Sequence, residues 1–232
     1  DIDEILVPEW RSILDDSCSP DIAGYEYYVQ EEKDGSTDIM TERRIHRNGG
    51  CFWKYPVYEE LIFHDPGSII PIQHVMLKRP YRKPGHDTVR LLERYIREQP
   101  YSWVPLWRLA QVYLESGNSK EAHYAVENAL RLNGCDKAKI YGLKARICMA
   151  EGLHEEALHY LTKAISYGND LQLYIEKAHI LSGLARHLEA YATLKEAKRI
   201  QVHQNIPAFI PSDKIDTLMA SERRLALEEI SL

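Results

Sequence analysis

The sequence predicts two architectures in series: an α+β unit at the front and an all-α superhelix of paired helices behind it. The first observation is a repeat of about 34 residues in the second half. Ala110, Ala145 and Ala178 stand in register, and so do Ala122, Ala157 and Ala190, then Ala129, Ala164 and Ala197. Bulky residues keep step with them: Leu106, Tyr141 and Tyr174 early in each unit, Val126, Leu161 and Leu194 late. Small residues recur where antiparallel helices approach closely, and large ones fill the space alongside. The second observation is that residues 1–80 do not follow this period and are rich in strand formers.

Composition narrows the function classes. Of 232 residues, 29 are Lys or Arg and 35 are Asp or Glu, a net charge of −6 with both signs interspersed. Such a chain carries no broad basic field for duplex nucleic acid. No apolar run approaches the roughly 20 residues of a membrane-spanning helix. Cys18, Cys51, Cys135 and Cys148 form no CxxC pair and no Cys/His cluster at zinc spacing, so they read as reduced thiols of a cytoplasmic protein. No Gly-rich phosphate loop, G-x-S-x-G or H-E-x-x-H occurs. The chain begins at Asp1 without methionine, which suggests a piece of a longer protein.

Within the front segment, Glu4 to Asp16 has helical spacing, with Ile5, Leu6, Trp10, Ile13 and Leu14 on one side. Cys18-Ser19-Pro20-Asp21 stops it. "GYEYYVQEE" and "TDIMTERRIHRN" read as a strand and its return, joined through Asp34-Gly35, a hairpin turn pair. "CFWKYPVYEELIF" and "SIIPIQHVML" supply further strand-like elements.

Prolines and charges mark residues 78–85 as a connector. The expected map is therefore an α+β region over 1–80, a connector and half-repeat helix over 81–100, three repeats over 101–204, and a capping helix over 205–232. The half-repeat helix is His86 to Glu98, with Val89, Leu92 and Ile96 on its apolar side. The cap starts at Ser212 or Asp213 and carries Ile215, Leu218, Met219 and Leu225 on one side. An array end left open would expose apolar surface.

The periodic alanines and aromatics of "LWRLAQVYLESGNSKEAHYAVENAL", "IYGLKARICMAEGLHEEALHYLTKAI" and "LYIEKAHILSGLARHLEAYATLKEAK" resemble the tetratricopeptide repeat (TPR). In this register the first helices present Trp107, Gln111, Arg146, Met149, Ile175 and His179 to an inner groove. Apolar, hydrogen-bonding and cationic groups in that mixture suit an extended peptide or a partner helix.

The front segment carries a second resemblance. Asp1-Ile2-Asp3-Glu4 opens the chain, Arg43-Arg44-Ile45-His46-Arg47-Asn48 follows, then Trp53 with Val57-Tyr58-Glu59-Glu60-Leu61, then a strand bearing His74. This order, running into TPR units, resembles the rear portion of a bacterial family 2 glycosyltransferase of GT-A type. The resemblance implies Mn²⁺ or Mg²⁺ at Asp1 and Asp3, with His74 as a further ligand; hard carboxylate oxygens suit a divalent ion that offsets diphosphate charge. It implies Glu59 as the base that takes the acceptor's proton, with Glu60 second. Arg43 and Arg47 would contact the diphosphate, and Trp53 would stack on the sugar. Strict strand alternation places Arg43, Ile45 and Arg47 on one face and Arg44 with His46 on the other. Tyr58 stands where the family has histidine, and nothing corresponds to the family's nucleotide-binding front half.

Two functional expectations result. One is a portion of a cytoplasmic glycosyltransferase, incomplete as this chain, moving a sugar from a nucleotide-sugar donor to a protein, peptide or glycan. The other is a non-enzymatic TPR adaptor. In both, the repeats bind a protein or peptide, and self-association is a further arrangement they permit.

Overall fold

A computed structural model describes residues 5–17, 22–33, 36–46, 51–54, 60–64, 69–80, 86–203 and 212–230. The chain divides into two compact units, Asp1–Pro84 and Gly85–Leu232.

In the first unit the elements run β1 (Ile5–Leu6), α1 (Trp10–Ser17), β2 (Gly24–Lys33), β3 (Ser36–His46), β4 (Cys51–Lys54), β5 (Glu60–Phe63) and β6 (Ile69–Pro80). A mixed sheet has the order β1-β6-β2-β3, with β2 parallel to β6 and the other pairs antiparallel. β4 and β5 form a separate antiparallel pair. Tyr25, Tyr27 and Val29 alternate along β2 and are buried with Ile72, Met76 and Leu77 of β6. Trp10, Ile13 and Leu14 of α1 cover that face.

Three details depart from the sequence expectation. The helix begins at Trp10 rather than Glu4, because a residue before proline is pushed to extended backbone. Val7 precedes Pro8, and the Trp10 N–H closes a turn onto the Val7 carbonyl at 3.1 Å. Ile5 and Leu6 are consequently strand, paired with Lys78 and Leu77 and exposed rather than buried. Second, β6 runs through Lys78 to Pro80, so the connector expected from 78 begins later. Third, a β-bulge breaks the alternation of β3. Tyr25 faces Ile45 and Tyr27 faces Glu42, leaving one extra residue at Arg43-Arg44. The hairpin itself is as expected: Lys33 pairs with Ser36, so two residues connect the strands.

The second unit is helical: α2 (His86–Glu98), α3 (Val104–Glu115), α4 (Ser119–Leu130), α5 (Lys137–Ala150), α6 (His154–Tyr167), α7 (Leu171–Gly183), α8 (His187–His203) and α9 (Ser212–Ile230). Helices α3–α4, α5–α6 and α7–α8 are the three repeats, each an antiparallel hairpin packed on the next. The register alanines explain the packing. Ala110, Ala122, Ala129, Ala145, Ala157, Ala164, Ala190 and Ala197 have no exposed surface, and Val126 and Leu161 fill the space beside them. Gly142 lets α5 approach α7; a Cβ there would lie 2.9 Å from Leu173 Cδ2.

Helix starts are set by side chains. Asp136 accepts from the Lys139 N–H at 3.1 Å and Asp170 from the Gln172 N–H at 2.9 Å. Between the helices of the first two repeats, Gly117 and Gly152 take φ of +77°, and in the third Ala185 takes +57°. α2 covers α3 through Leu92 and Tyr95, both buried, where Ile96 is only half-buried. α9 closes the other end: Ile215 joins Leu171, Ile175, Leu194 and Ala197, with Leu218 and Met219 against them.

Candidate functional site

The first helices α3, α5 and α7 adjoin along one side of the array, and their contacts define a common face. Trp107 and Gln111 are one turn apart on α3. The Arg108 guanidinium lies 4.6 Å from the Trp107 ring centroid, and the Lys139 ammonium reaches the same ring from α5 at 5.8 Å. Arg108 also donates to Gln111 Oε1 at 3.4 Å. Trp103 meets Trp107 at 6.1 Å with planes tilted by 59°. The Trp107 indole N–H is buried and meets no acceptor among the described residues.

Two turns along α5, Arg146 forks onto Glu176 of α7, with Nε at 3.0 Å and Nη2 at 2.7 Å from Oε1. Gln172 donates to the same carboxylate at 3.4 Å. A bidentate pair at a half-exposed site fixes the spacing of two repeats more than it adds stability. His179 is exposed one turn beyond Ile175, and Met149 is half-buried.

Of the six residues expected on this face, Trp107, Gln111, Arg146, Met149 and His179 are at least partly accessible. Ile175 is not. It is 6% exposed and packs in the cluster beneath α9, because its turn of α7 faces the capping helix. Sequence reasoning missed Arg108, Lys139 and Glu176. Arg108 directly follows Trp107, and a strict one-residue-per-turn reading of the face passes over it.

Beside this face, electrostatics are local. Burial pulls the Lys144 ammonium down, but hydrogen bonds to Glu127 and Tyr160 outweigh it and leave its pKa raised. Burial holds Lys177 below its ordinary value; its ammonium donates to Thr162 Oγ1 at 3.1 Å. Tyr141 lies stacked between Tyr160 and Tyr167, at 9° and 16°. These three tyrosines thus pack on one another.

In the first unit, Arg43 pairs with Glu26 at 2.7 Å, and Arg44 with Glu42 at 3.0 Å. Glu42 and Glu31 both meet Arg79, at 2.8 and 3.0 Å. Glu26 lies between core-facing Tyr25 and Tyr27, so it and Arg43 point away from the core, while Ile45 packs against it. The bulge therefore separates Arg43 from Ile45, which strict alternation had placed together. Asp1, Asp3, Arg47 and Glu59 lie outside the described residues. Trp53 and His74 are placed only as backbone, Trp53 opposite Leu61 on β4 and His74 within β6. Among the described residues no three His, Cys, Asp or Glu side chains gather as a metal site. Cys51, Cys135 and Cys148 are free thiols. No helix among the described residues is long and apolar enough to cross a membrane.

A tetratricopeptide-repeat family model matches residues 138–167. That stretch is the α5–α6 hairpin, the middle repeat. No curated protein sequence matches the chain. Similar solved structures include MamA, 12% identical over 62% of this chain and 90% of that one, with a TM-score of 0.44. The TPR2B domain of yeast Sti1 in its pHsp70 complex is 22% identical over 51% of this chain and 94% of that one, TM-score 0.45. The type III secretion chaperone SycD of Yersinia enterocolitica, in complex with a peptide of the translocator YopD, is 18% identical over 51% and 89%, TM-score 0.46.

Proposed function

We propose that the repeat array is a binding module that holds a peptide segment of a partner protein along the face of α3, α5 and α7. The observation that carries this reading is the joining of three first helices into one continuous face. Trp107, Gln111, Arg146 and His179 lie along it, mixing aromatic, amide and cationic groups. Stacked helical repeats offer such extended surfaces, and a mixture of apolar and donor groups suits a peptide backbone and its side chains. The test is selection of peptides from a random library on the full chain, followed by calorimetry. Gln111→Ala with His179→Ala should weaken the selected peptides and leave the melt unchanged, while Tyr124→Ala, exposed on α4, should have no effect. Failure to select any peptide, or equal sensitivity to Tyr124→Ala, overturns the reading.

A second reading concerns the first unit. The order of Asp1-Ile2-Asp3, the Arg43 to Asn48 strand, Trp53, Glu59 and His74 resembles the rear part of a GT-A glycosyltransferase, and a mixed sheet ahead of the repeats is in keeping with it. On this reading Asp1, Asp3 and His74 hold Mn²⁺ or Mg²⁺, and Glu59 is the base. Arg43 and Arg47 would then meet the diphosphate, with Trp53 beside the sugar. For Arg43 that requires exchanging Glu26 for phosphate. In a chain extended upstream of Asp1, Asp3→Ala should abolish metal-dependent donor binding. Glu59→Gln should spare binding and slow transfer. An Asp3→Ala protein that binds donor with the parent's metal response ends the enzyme reading.

A further inference from the structure

The seam between α5 and α6 carries a stack of three tyrosines with cations laid over it. Tyr141 of α5 lies between Tyr160 and Tyr167 of α6, whose ring centroids are 6.2 and 5.9 Å away. The Lys144 ammonium stands 4.5 Å from the Tyr160 centroid, Lys163 5.5 Å from that of Tyr141, and Lys137 5.1 Å from that of Tyr167. Attraction to the rings gathers these cations on one surface despite their mutual repulsion. Lys144 is paired with Glu127 of α4. Lys137 and Lys163 are exposed, and among the described residues neither ammonium has an ion pair or a hydrogen bond. Each keeps its three N–H donors for an outside acceptor. This surface is not the first-helix face. Arg146, two residues beyond Lys144, lies about 200° round α5 at 3.6 residues per turn, and it meets Glu176 of α7 instead.

We infer that this seam is a docking surface for an acidic segment of a partner protein, whose Glu or Asp carboxylates take up the donors of Lys137 and Lys163. Charge complementarity is the ground. Two cations without a carboxylate stand side by side with a tyrosine stack, on a chain whose net charge is −6. What the rings leave outward fits the same partner. Both faces of Tyr141 are covered by its neighbours, so its accessible part is the edge, the positive side of the ring quadrupole. The Tyr160 hydroxyl accepts from Lys144, so its own hydrogen is left to donate. Single-stranded nucleic acid fits less well, because it stacks bases on open ring faces and here the other rings and the lysines occupy them. The inference is independent of the peptide-holding reading, which concerns the other side of α5.

The test measures fluorescence anisotropy of labelled peptides of equal length on the full chain, with serine alternating with glutamate, glutamine or lysine. Ion pairs to the two lysines, partly screened by water, should make the glutamate peptide bind about fivefold more tightly than the glutamine one. That advantage should fall as salt rises. Lys137→Glu with Lys163→Glu should abolish the preference. Lys137→Gln and Lys163→Gln, made singly, should each reduce it and serve if the double reversal does not fold. Gln111→Ala with His179→Ala, on the first-helix face, should leave it unchanged. The inference is overturned if the glutamate and glutamine peptides bind alike, or if the lysine variants leave the preference intact. It is also overturned if the first-helix variant abolishes the preference, since the acids then sit in the groove. Oligothymidine bound as tightly as the glutamate peptide overturns it in favour of a general polyanion surface. A dimer in sedimentation that the lysine reversal dissociates overturns it in favour of a second copy of this chain. Library-selected peptides that respond to Gln111→Ala with His179→Ala leave the peptide-holding reading standing in each of these cases.

Discussion

Ser182, near the end of α7, donates a 2.7 Å hydrogen bond to Glu222, a carboxylate buried on α9. The other oxygen of Glu222 lies 2.8 Å from His187 Nδ1, at the start of α8. A buried carboxylate is tolerated only with such partners, so this contact fixes where the last helix seats. Glu222→Ala leaves Ser182 and His187 without their acceptor and should cost about 3 kcal/mol. Hydrogen exchange should show the loss concentrated in α9, and a uniform change across the array would contradict it.

Ala157 has no exposed surface and sits where α6 meets its neighbours. Ala157→Leu should cost on the order of 1–3 kcal/mol by overpacking. A thermal melt checks it, and an unchanged midpoint would mean the hairpins are packed more loosely than described.

Ala185 occupies the left-handed turn position filled by glycine in the two preceding repeats. A Cβ there costs about 1–2 kcal/mol, partly offset by the extra unfolded-chain entropy of glycine. Ala185→Gly should therefore stabilise the array by several tenths of a kcal/mol to about 1 kcal/mol. Denaturant unfolding at equal m-value measures it.

Burial pushes the Cys148 thiol above its ordinary value of 9.0, and the Glu156 and Glu151 carboxylates add to the shift. The folded state thus holds the proton more tightly than the unfolded chain. Thiol ionisation favours unfolding, so this residue's contribution is intact below pH 9.0 and is lost as pH rises above it. Cys148 should also react with an aromatic disulfide far more slowly than half-buried Cys135. Comparable rates for the two thiols in the folded protein would refute the burial argument.

The array was legible because its signal is periodic. Nine alanines in step report nine close helix contacts, and the burial of all of them follows from spacing alone. The half-repeat His86–Glu98 and the two-residue hairpin connection were legible for similar local reasons. What escaped is non-local. Ile175 has the spacing of a groove residue, and only the seating of α9 turns it inward. Glu222 reads as a surface glutamate until Ser182 and His187 meet it. Lys139 lies a full repeat from Trp107 in sequence, so their meeting depends on how hairpins stack. The bulge at Arg43-Arg44 has no marker in a run of charged strand residues.

That bulge has a consequence for how the molecule behaves among its own copies. β3 is one of the two edge strands of the mixed sheet, and a long flat edge is a template onto which another chain's strand can dock. At Arg43-Arg44 the spacing of the backbone donors and acceptors slips by one residue, so an incoming straight strand matches them on one side of the slip only. The irregularity that spoils the alternation of this strand therefore disfavours continuous edge-to-edge pairing with a second copy.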